Sequence, residues 1–360
     1  KTYLQKNPDV QLTVTPITDP GNNFYPKLQT SIAGGTPPQV ASFQGWEWQV
    51  YADKGVLAPI DDLIKRDKAE AAYPDLKSMN DSTIRKGKRY MVPMQLATML
   101  MYYAKKPFLE AGVPFPTDDW TYDQFIDIAR KLTNPAKKMW GIQPNNNWYR
   151  DIHWIRATGK TEFDSIMDPK KAQFNQPEIA AVLQQVVVDW AYKDKIAPTS
   201  ADMTGGANQI QTGNTAMRYD GPWFFPSMNS QKLRDDKKNV EFDVVLMPKQ
   251  ADGSRPHRGW AEGIAVLKTN NIEGGWSLAN YFSGEEGQKI YATNTGRIPS
   301  IQKLVNDWWI PTVADAGFGV KNGKAFIEAN KNTQLDVVSG VPRSKMWVEV
   351  VKPTAYDKMV

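Results

Sequence analysis

The sequence predicts an α/β fold in two domains, between which the chain passes more than once. Helical and strand-like patterns alternate along the whole chain, as they do in folds whose sheets are covered by helices. The chain has 360 residues, more than one hydrophobic core usually serves. No linker rich in proline and glycine divides it, so two domains would have to be built from interleaved segments.

The first part of the chain alternates strand and helix. Residues 9–17 (DVQLTVTPI) alternate apolar and polar side chains, which predicts a strand, and residues 23–35 (NFYPKLQTSIAGG) predict a helix that ends at a glycine pair. Residues 37–43 (PPQVASF) predict a buried strand. Residues 48–67 predict two short helices separated at Gly55. This order is typical of a parallel sheet covered on both faces.

The same alternation continues to the end of the chain. Residues 88–106 form a long apolar run that predicts a strand. Residues 118–133 predict a helix that begins with a capping box formed by Thr121 and Gln124. The remaining predicted elements are helices at 176–195 and 272–293, strands at 214–221, 240–248 and 260–268, and a mixed, mostly helical C-terminal part.

Composition excludes several classes of function. The chain has no cysteine, which excludes disulfides, thiol catalysis and thiolate metal sites. Its two histidines, His153 and His257, are far apart in sequence and lack metal-ligand spacing, so we expect no metal. Glycine-rich phosphate loops are also absent, so we expect no cofactor. The net charge is +5, but 44 basic residues are interspersed with 39 acidic ones, which argues against a nucleic-acid partner.

Catalytic signatures are sparse as well. The chain has no G-x-S-x-G motif, and two histidines leave few ways to build a nucleophilic triad. A glycoside hydrolase needs only two carboxylates, and Asp220 and Glu262 both lie beside aromatic residues. We favour hydrogen bonding as the role of these two carboxylates, and a hydrolase remains an alternative.

Five short segments combine aromatic and hydrogen-bonding side chains. They are residues 43–49 (FQGWEWQ), 145–151 (NNNWYRD), 219–225 (YDGPWFF), 258–263 (RGWAEG) and 343–347 (RSKMW). A sugar ring has an apolar C–H face that stacks on an aromatic ring, and its hydroxyl groups bind carboxylates, amides and guanidinium groups. The segments therefore predict carbohydrate binding. Pro222 and Pro226 would hold Trp223 on a stiff turn that presents its ring with little ordering cost.

Four stretches resemble one known family and follow its order along the chain. They are AGGTPPQV (33–40) with YADKGVLAPIDDLI (51–64), the run from YMVP to ARKLT (90–133), QTGNTAMRYDGPWFF (211–225) and the run from EGIAVLK to GRIPS (262–300). These stretches are similar to the extracellular solute-binding proteins of bacterial ABC importers. The match is to the sugar-binding group that includes maltose-binding protein.

This resemblance implies the two-lobed periplasmic-binding-protein fold of type II, with three hinge crossovers and a ligand cleft between the lobes. It places the crossovers near residues 103–105, 247–248 and 298–300. The implied N-terminal lobe comprises residues 1–104 and 248–298, and the implied C-terminal lobe comprises residues 105–247 and 299–360. The family also has a strand that would precede Lys1, so we expect the mature protein to be longer.

The resemblance further implies positions for ligand-binding residues. The family's first cleft loop falls on residues 43–47, the stretch before the first crossover on Gln95, and the aromatic loop of the second lobe on residues 147–149. Trp223 and Trp347 fall on stacking aromatics. With the charged and aromatic members of the five segments, the predicted ligand-binding residues are Phe43, Trp46, Glu47, Gln95, Asn147, Trp148, Tyr149, Asp220, Trp223, Trp260, Glu262, Arg297, Arg343 and Trp347.

The resemblance thus implies the extracytoplasmic substrate-binding component of an ABC importer for a carbohydrate, specifically an oligosaccharide. Such a protein is not an enzyme; it binds by hinge closure and docks on a membrane permease. We expect a monomer that is free in the periplasm or lipid-anchored at the outer face of the membrane. The alternative within this class is a glycerol 3-phosphate or polyol-phosphate binding protein, in which Arg258, Arg297 or Arg343 would hold the phosphate.

Overall fold

The computed structural model describes residues 2–17, 24–75 and 77–359, which contain two mixed sheets covered by helices. The α/β prediction is therefore confirmed. The strands are β1 (Val40–Phe43), β2 (Ile84–Arg85), β3 (Lys88–Arg89), β4 (Met91–Thr98), β5 (Leu100–Ala104), β6 (Trp140–Gln143), β7 (Thr215–Asp220), β8 (Phe242–Val245), β9 (His257–Val266), β10 (Ile298–Pro299) and β11 (Thr333–Leu335).

Helices make up most of the remaining regular structure. They are α1 (Thr2–Lys6), α2 (Phe24–Ala33), α3 (Trp48–Asp53), α4 (Asp61–Asp67), α5 (Lys77–Asp81), α6 (Lys105–Ala111), α7 (Tyr122–Leu132), α8 (Trp148–Arg156), α9 (Pro177–Leu183), α10 (Trp190–Tyr192), α11 (Phe225–Asn229), α12 (Gln231–Asp235), α13 (Ile272–Ser283), α14 (Glu285–Thr295), α15 (Gln302–Leu304), α16 (Lys324–Lys331), α17 (Arg343–Met346) and α18 (Lys352–Thr354). π-Helical segments follow α9, α15 and α17 at Gln184–Asp189, Val305–Gly317 and Trp347–Val351. None of the helices described is both long and apolar enough to cross a bilayer.

The pairing of the strands corrects the prediction of a parallel sheet. The first sheet has the order β1-β9-β4-β10, with β11 also paired to β9, and the second has the order β6-β7-β5-β8. Most of these pairs are antiparallel, and the parallel ones in the part of the chain described are β6–β7 and β11–β9. The reason is that β9 returns from the second sheet and inserts between β1 and β4, running opposite to both.

The strand predicted for residues 9–17 is wrong. Most of these residues are exposed, and the segment pairs with no strand in the described structure. Its alternating pattern therefore does not correspond to one buried and one solvated face. The helix predicted after it is confirmed as α2, which Gly35 follows in the left-handed conformation at a φ of 73°.

Local sequence signals elsewhere correspond closely to the structure. The capping box is present at the start of α7, where the Thr121 hydroxyl accepts a hydrogen bond from the Gln124 N–H and the Gln124 side chain accepts one from the Thr121 N–H. Phe125 and Ala129 of α7 pack on the second sheet beside Ile142. On the first sheet, α13 packs with buried Trp276.

The chain passes between the sheets at several points. It leaves the first sheet at Met99, between β4 and β5, and returns through the segment between β8 and β9. After β10 it leaves again, and β11 brings it back to pair with β9. The strand β5 already belongs to the second sheet, although the predicted lobe boundary lies at residue 104. The division of the chain into lobes stays a prediction.

Both histidines lie against the segment that joins β8 to β9. The His153 ring contacts the carbonyl oxygen of Pro256 through Nδ1, and His257 Nε2 accepts a hydrogen bond from the Met247 N–H at 3.1 Å. The two rings are fully buried, with centroids 6.4 Å apart. Burial lowers the pKa of His153 to about 4, against a smaller raising effect of the Pro256 carbonyl. The pKa of His257 is also lowered, chiefly by burial.

We expect the contribution of His153 to the stability of the protein to fall as the pH drops from about 6.5 towards 4. A buried neutral histidine with a lowered pKa resists protonation in the folded state, whereas the unfolded chain takes up the proton below its ordinary pKa. For His153 the shift to about 4 corresponds to a loss of about 3 kcal/mol. Denaturant unfolding at several pH values would measure it for the wild type and for His153→Gln. The difference in unfolding free energy between the wild type and His153→Gln should shrink as the pH falls. A difference that stayed constant with pH would contradict the assignment of this pH dependence to His153.

Candidate functional site

Aromatic side chains from the two sheets meet where the loops at the ends of β1, β7 and β9 converge. Trp46 and Trp260 belong to the first sheet and its loops, whereas Trp223 and Tyr149 belong to the second sheet and α8. The Trp223 and Trp260 rings are 5.3 Å apart between centroids, at an interplanar angle of 38°. The Trp46 ring meets Trp260 at 4.6 Å in an edge-to-face arrangement. We call Trp46, Tyr149, Trp223 and Trp260 the aromatic cluster.

The position of Trp46 depends on Gly45, the glycine that precedes it. Trp46 lies in the loop between β1 and α3, which passes directly over β9. A Cβ atom at Gly45 would come within 2.5 Å of the Ala261 carbonyl oxygen and 3.2 Å of the Trp260 side chain. Glycine at this position therefore allows the loop to lie flat on β9, which brings Trp46 against Trp260.

Trp223 lies on the turn that follows β7. Pro222–Phe224 form one turn of 3-10 helix, and Pro222 occupies its first position. The Trp223 ring folds back over Gly221, where a Cβ atom would lie 2.2 Å from the ring. The G-P-W sequence thus holds a half-buried indole against its own backbone, with the rest of the ring directed at Trp260.

Asp220 fixes this turn through ion pairs. Its carboxylate accepts hydrogen bonds from Arg150 at 3.0 Å, Arg218 at 2.6 Å and the Gly221 N–H at 2.9 Å. Burial alone would raise the pKa of Asp220, but the charges of Arg150 and Arg218 outweigh it and lower the pKa. A carboxyl group held in this way stays ionised at neutral pH, which is unfavourable for a general acid.

Strand β9 directs three functional side chains to one face. Residues two apart in a strand point the same way, so Arg258, Trp260 and Glu262 lie side by side. Glu262 accepts hydrogen bonds from Trp260 Nε1 at 2.6 Å and from Arg297 at 2.7 Å, and Gln95 Nε2 also donates to it. This network joins β9 and β4 to Arg297, the residue before β10.

A second ion cluster lies on the other side of the aromatic cluster. Asp336, immediately after β11, accepts hydrogen bonds from Arg258 Nε at 2.8 Å and from Arg343 Nη1 at 3.1 Å. The Arg258 guanidinium lies 4.0 Å from the Trp260 ring centroid. Arg343 lies 3.5 Å from the Trp46 centroid and 4.3 Å from that of Tyr149. Burial lowers the pKa of Arg343 to about 10, opposed by the charge of Asp336.

Glu47 is the least compensated acid of the site. Its side chain is buried beside Arg343, whose backbone N–H it faces. Burial raises the pKa of Glu47 to about 7, although the charge and backbone N–H of Arg343 act in the opposite direction. The carboxyl group therefore changes its protonation state near neutral pH.

The structure does not bring every predicted site residue into this region. Phe43 is buried against Tyr25 and Tyr51 in the core beside the first sheet. Trp148 is buried against Phe163 and Phe174. We correct the predictions for Phe43 and Trp148 accordingly, because both rings are enclosed by core side chains.

Two further predicted residues have local structural contacts. The Asn147 side chain caps α8, accepting a hydrogen bond from the Arg150 N–H at 3.0 Å. Trp347 packs edge-on against Tyr149 and Tyr356, behind the aromatic cluster. These contacts support the cluster from behind. The residues that the structure does gather around the cluster are Trp46, Glu47, Gln95, Tyr149, Asp220, Trp223, Trp260, Glu262, Arg297 and Arg343.

Asp336 was not found from the sequence. It lies in the stretch NTQLDVVSG (332–340), which contains no aromatic residue and no motif that would single it out. Its importance comes from the pairing of β11 with β9, which brings it beside Arg258. In the described ranges no group of three or more His, Asp or Glu side chains is placed to hold a metal ion.

The sequence was compared with known families and proteins. Residues 1–289 match the sequence model of a family described as bacterial extracellular solute-binding protein. Over 164 residues the chain is 27% identical to the diacetylchitobiose binding protein DasA of Streptomyces coelicolor, an alignment that covers 45% of this chain and 37% of DasA. It is 26% identical over 178 residues to a mannitol-binding protein of Pseudomonas aeruginosa, covering 47% of this chain and 39% of that protein. The chain thus aligns with less than half the length of these relatives.

Solved structures share the fold over nearly the whole chain. The substrate-binding protein Lmo0181 of Listeria monocytogenes, solved with cycloalternan, superposes with a TM-score of 0.83 at 24% identity, covering 99% of this chain and 88% of that one. Maltose-bound MalE3 of T. maritima superposes with a TM-score of 0.75 at 21% identity, covering 94% and 84% of the two chains. These similarities confirm the predicted two-lobed periplasmic-binding-protein fold.

We expect Gly221→Ala to displace the Trp223 ring without unfolding the turn. The Gly221 backbone has φ −114° and ψ 177°, which alanine adopts freely, but the added Cβ would lie 2.2 Å from the ring. The near-UV circular dichroism of the coupled Trp223–Trp260 pair should weaken, and a crystal structure should show the ring moved. Gly34→Ala, at the end of α2, is the control and should leave the spectrum unchanged. An unaltered Trp223 position would show that the ring does not rest on Gly221.

Proposed function

Because the chain belongs to the bacterial extracellular solute-binding protein family, we propose that it is the extracytoplasmic binding component of an ABC importer for a carbohydrate, specifically an oligosaccharide. It would act as a monomer outside the cytoplasmic membrane, free or lipid-anchored, and deliver its ligand to a membrane permease. It would catalyse no reaction. We further propose that one lobe comprises residues 1–104 and 248–298 and the other comprises residues 105–247 and 299–360.

The observation that carries this proposal is the pair formed by Trp223 and Trp260. Each ring comes from a different sheet, and each is flanked by hydrogen-bonding groups: Asp220 behind Trp223, and Glu262 with Arg297 beside Trp260. A pyranose ring offers an apolar face and a belt of hydroxyl groups, which matches aromatic rings surrounded by hydrogen-bonding side chains. Neither sheet alone supplies both halves of this arrangement.

Closure of the lobes would couple binding to a change of shape. A ligand that contacts both Trp223 and Trp260 binds the closed arrangement better than an open one, so it shifts the hinge equilibrium towards closure. Each stacked ring contributes about 0.5–1.5 kcal/mol beyond its buried area. An ion pair also joins the two halves away from the aromatic cluster, where Arg85 Nη1 lies 2.7 Å from Asp168 Oδ2.

The relatives are consistent with a saccharide or polyol as ligand. DasA is named for diacetylchitobiose, and the Pseudomonas relative for mannitol. The structures with the same fold were solved with cycloalternan and with maltose. These compounds share a high density of hydroxyl groups and carry no phosphate.

The alternatives receive less support from the charges of the site. A polyol phosphate would need cationic groups that are not already paired, but Arg258 and Arg343 share Asp336, and Arg297 is paired with Glu262. A glycoside hydrolase that used Asp220 as its acid would need this carboxyl group protonated, and two arginines hold it ionised. A neutral, hydroxyl-rich ligand would form hydrogen bonds with these ion pairs without adding a net charge to the site.

Titration of the tryptophan fluorescence with mono- and oligosaccharides, polyols and glycerol 3-phosphate would test the proposal. Closure around Trp46, Trp223 and Trp260 should shift the emission saturably, and chromatography should recover the ligand unchanged. Saturation by glycerol 3-phosphate alone, weakening with added salt, would instead establish the polyol-phosphate alternative. Conversion of a saccharide into products would establish a hydrolase.

We expect Trp223→Ala to weaken saccharide binding at least about tenfold, because one of the two stacking faces is removed. Calorimetric titration measures the affinity, and thermal unfolding without ligand measures the fold. Trp308→Ala is a matched control, since Trp308 is also partly buried but packs near Lys289, away from the aromatic cluster. If Trp223→Ala lowered the melting temperature strongly and left affinity intact, Trp223 would be a core residue.

A further inference from the structure

The Arg343 side chain fills the space between two aromatic rings of the candidate site. Its guanidinium carbon lies 3.5 Å from the Trp46 centroid and 4.3 Å from the Tyr149 centroid. Trp46 comes from the loop after β1 and Tyr149 from α8, so the guanidinium bridges the two sides of the site. Contact at these distances is close stacking of a planar cation on an aromatic face.

This position is fixed by buried anchors. Arg343 donates to Asp336, whose side chain is 2% exposed and is itself held by two hydrogen bonds from Arg258. The strand before Asp336 is fixed in turn, because β11 pairs with β9 and Arg156 donates to the Leu335 carbonyl oxygen. A guanidinium held by a buried carboxylate and two rings is a fixed part of the wall, because its release would give up both the ion pair with Asp336 and the contacts with the rings.

The guanidinium occupies the face on which a sugar would stack. A pyranose needs the same contact distance from an aromatic ring that Arg343 already takes on Trp46. Arg258 lies over the Trp46 ring as well, 5.2 Å from its centroid, and Trp260 meets it edge to face. Trp46 therefore has no face left for a ligand. Trp260 is enclosed in the same way, by Arg258 at 4.0 Å and by Trp223, whereas the half-buried Trp223 ring has its cation, Arg297, at the longer distance of 5.6 Å.

We infer that Arg343 is a specificity-determining residue that closes the site at Trp46 and limits the length of the saccharide that binds. This inference rests on the proposed function and refines it. The stacking subsite is the half-buried Trp223 ring, and Arg343 with Asp336 forms the end wall at Trp46. Trp46, which the sequence analysis placed among the ligand-binding residues, contacts the wall instead of the ligand.

Affinity measured against saccharide length tests the inference. Calorimetric titrations would use malto-, cello- and chito-oligosaccharides of one to six units with the wild type, Arg343→Ala, Asp336→Asn and Arg297→Ala. We expect wild-type affinity to stop rising at a short length. Removal of the wall in Arg343→Ala frees the Trp46 face, so the ratio of long-chain to short-chain affinity should rise by roughly tenfold, the worth of one further stacked ring.

The other variants serve as matched comparisons. Asp336→Asn removes the anchor of Arg343 and should raise the same ratio by a smaller factor. Arg297→Ala disturbs the stacking subsite at Trp223 and should weaken all lengths alike, leaving the ratio unchanged. Arg343→Gln, whose side chain is shorter and cannot stack as a cation, replaces Arg343→Ala if that variant loses its fold by circular dichroism.

Equal weakening of every length by Arg343→Ala would show that Arg343 donates directly to the ligand, and the end-wall assignment would be overturned. An unaltered length profile in Arg343→Ala would overturn it too. Both outcomes leave saccharide binding itself intact. If no saccharide of any length bound the wild type, the proposed function would fail and this inference with it, so the two failures are distinguishable.

Discussion

Strand β9 is the element on which both the fold and the candidate site depend. It lies between β1 and β4 and runs antiparallel to both, so its backbone groups are paired on each side. The alternation of a strand then sets Arg258, Trp260 and Glu262 on one face. Close pairing of β9 with β4 leaves no room for a side chain at Gly263, where a Cβ atom would lie 2.0 Å from the Val92 carbonyl oxygen. Because β9 returns from the second sheet, the same strand that completes the first sheet also brings the site to the junction of the two.

The arginines of the site orient the aromatic rings more than they stabilise the fold. Each is paired with a carboxylate, and buried ion pairs contribute little net stability because both charges lose their hydration. Their planar groups instead lie on aromatic faces, as Arg258 does on Trp260 and Arg297 on Trp223. Lysine would not reproduce this, because its compact ammonium cannot stack or form a two-pronged hydrogen bond. The charged pairs thereby fix the orientation of the rings, while each ring in the Trp223–Trp260 pair keeps one face for its partner.

Features set by neighbouring residues could be predicted from the sequence, and features set by distant pairing could not. The Thr121 capping box and the G-P-W turn at Trp223 depend on a few consecutive residues, and the structure contains both. The parallel sheet was predicted wrongly because strand direction depends on where β9 inserts, which no local pattern reveals. Trp148 has the same aromatic-plus-polar neighbourhood as Trp223, and only the packing around it separates a core ring from a surface ring. Asp336 required the pairing of β11 with β9 before it could be connected to Arg258.

In the proposed hinge mechanism, the buried charges of the site would oppose closure in the absence of a ligand. Burial shifts the pKa of Glu47 up to about 7 and that of Arg343 down to about 10, so both groups are pushed towards their neutral forms. Shifts in these directions mean that the surroundings of each charged group stabilise it less than water does. In this proposed mechanism, opening of the lobes would rehydrate Glu47, which would favour the open form when no ligand is bound. A hydroxyl-rich ligand supplies hydrogen bonds to buried charges and ring contacts to Trp223 and Trp260 at once. In the proposed hinge mechanism, the cost of burying the Glu47 charge would therefore help to make closure depend on the ligand.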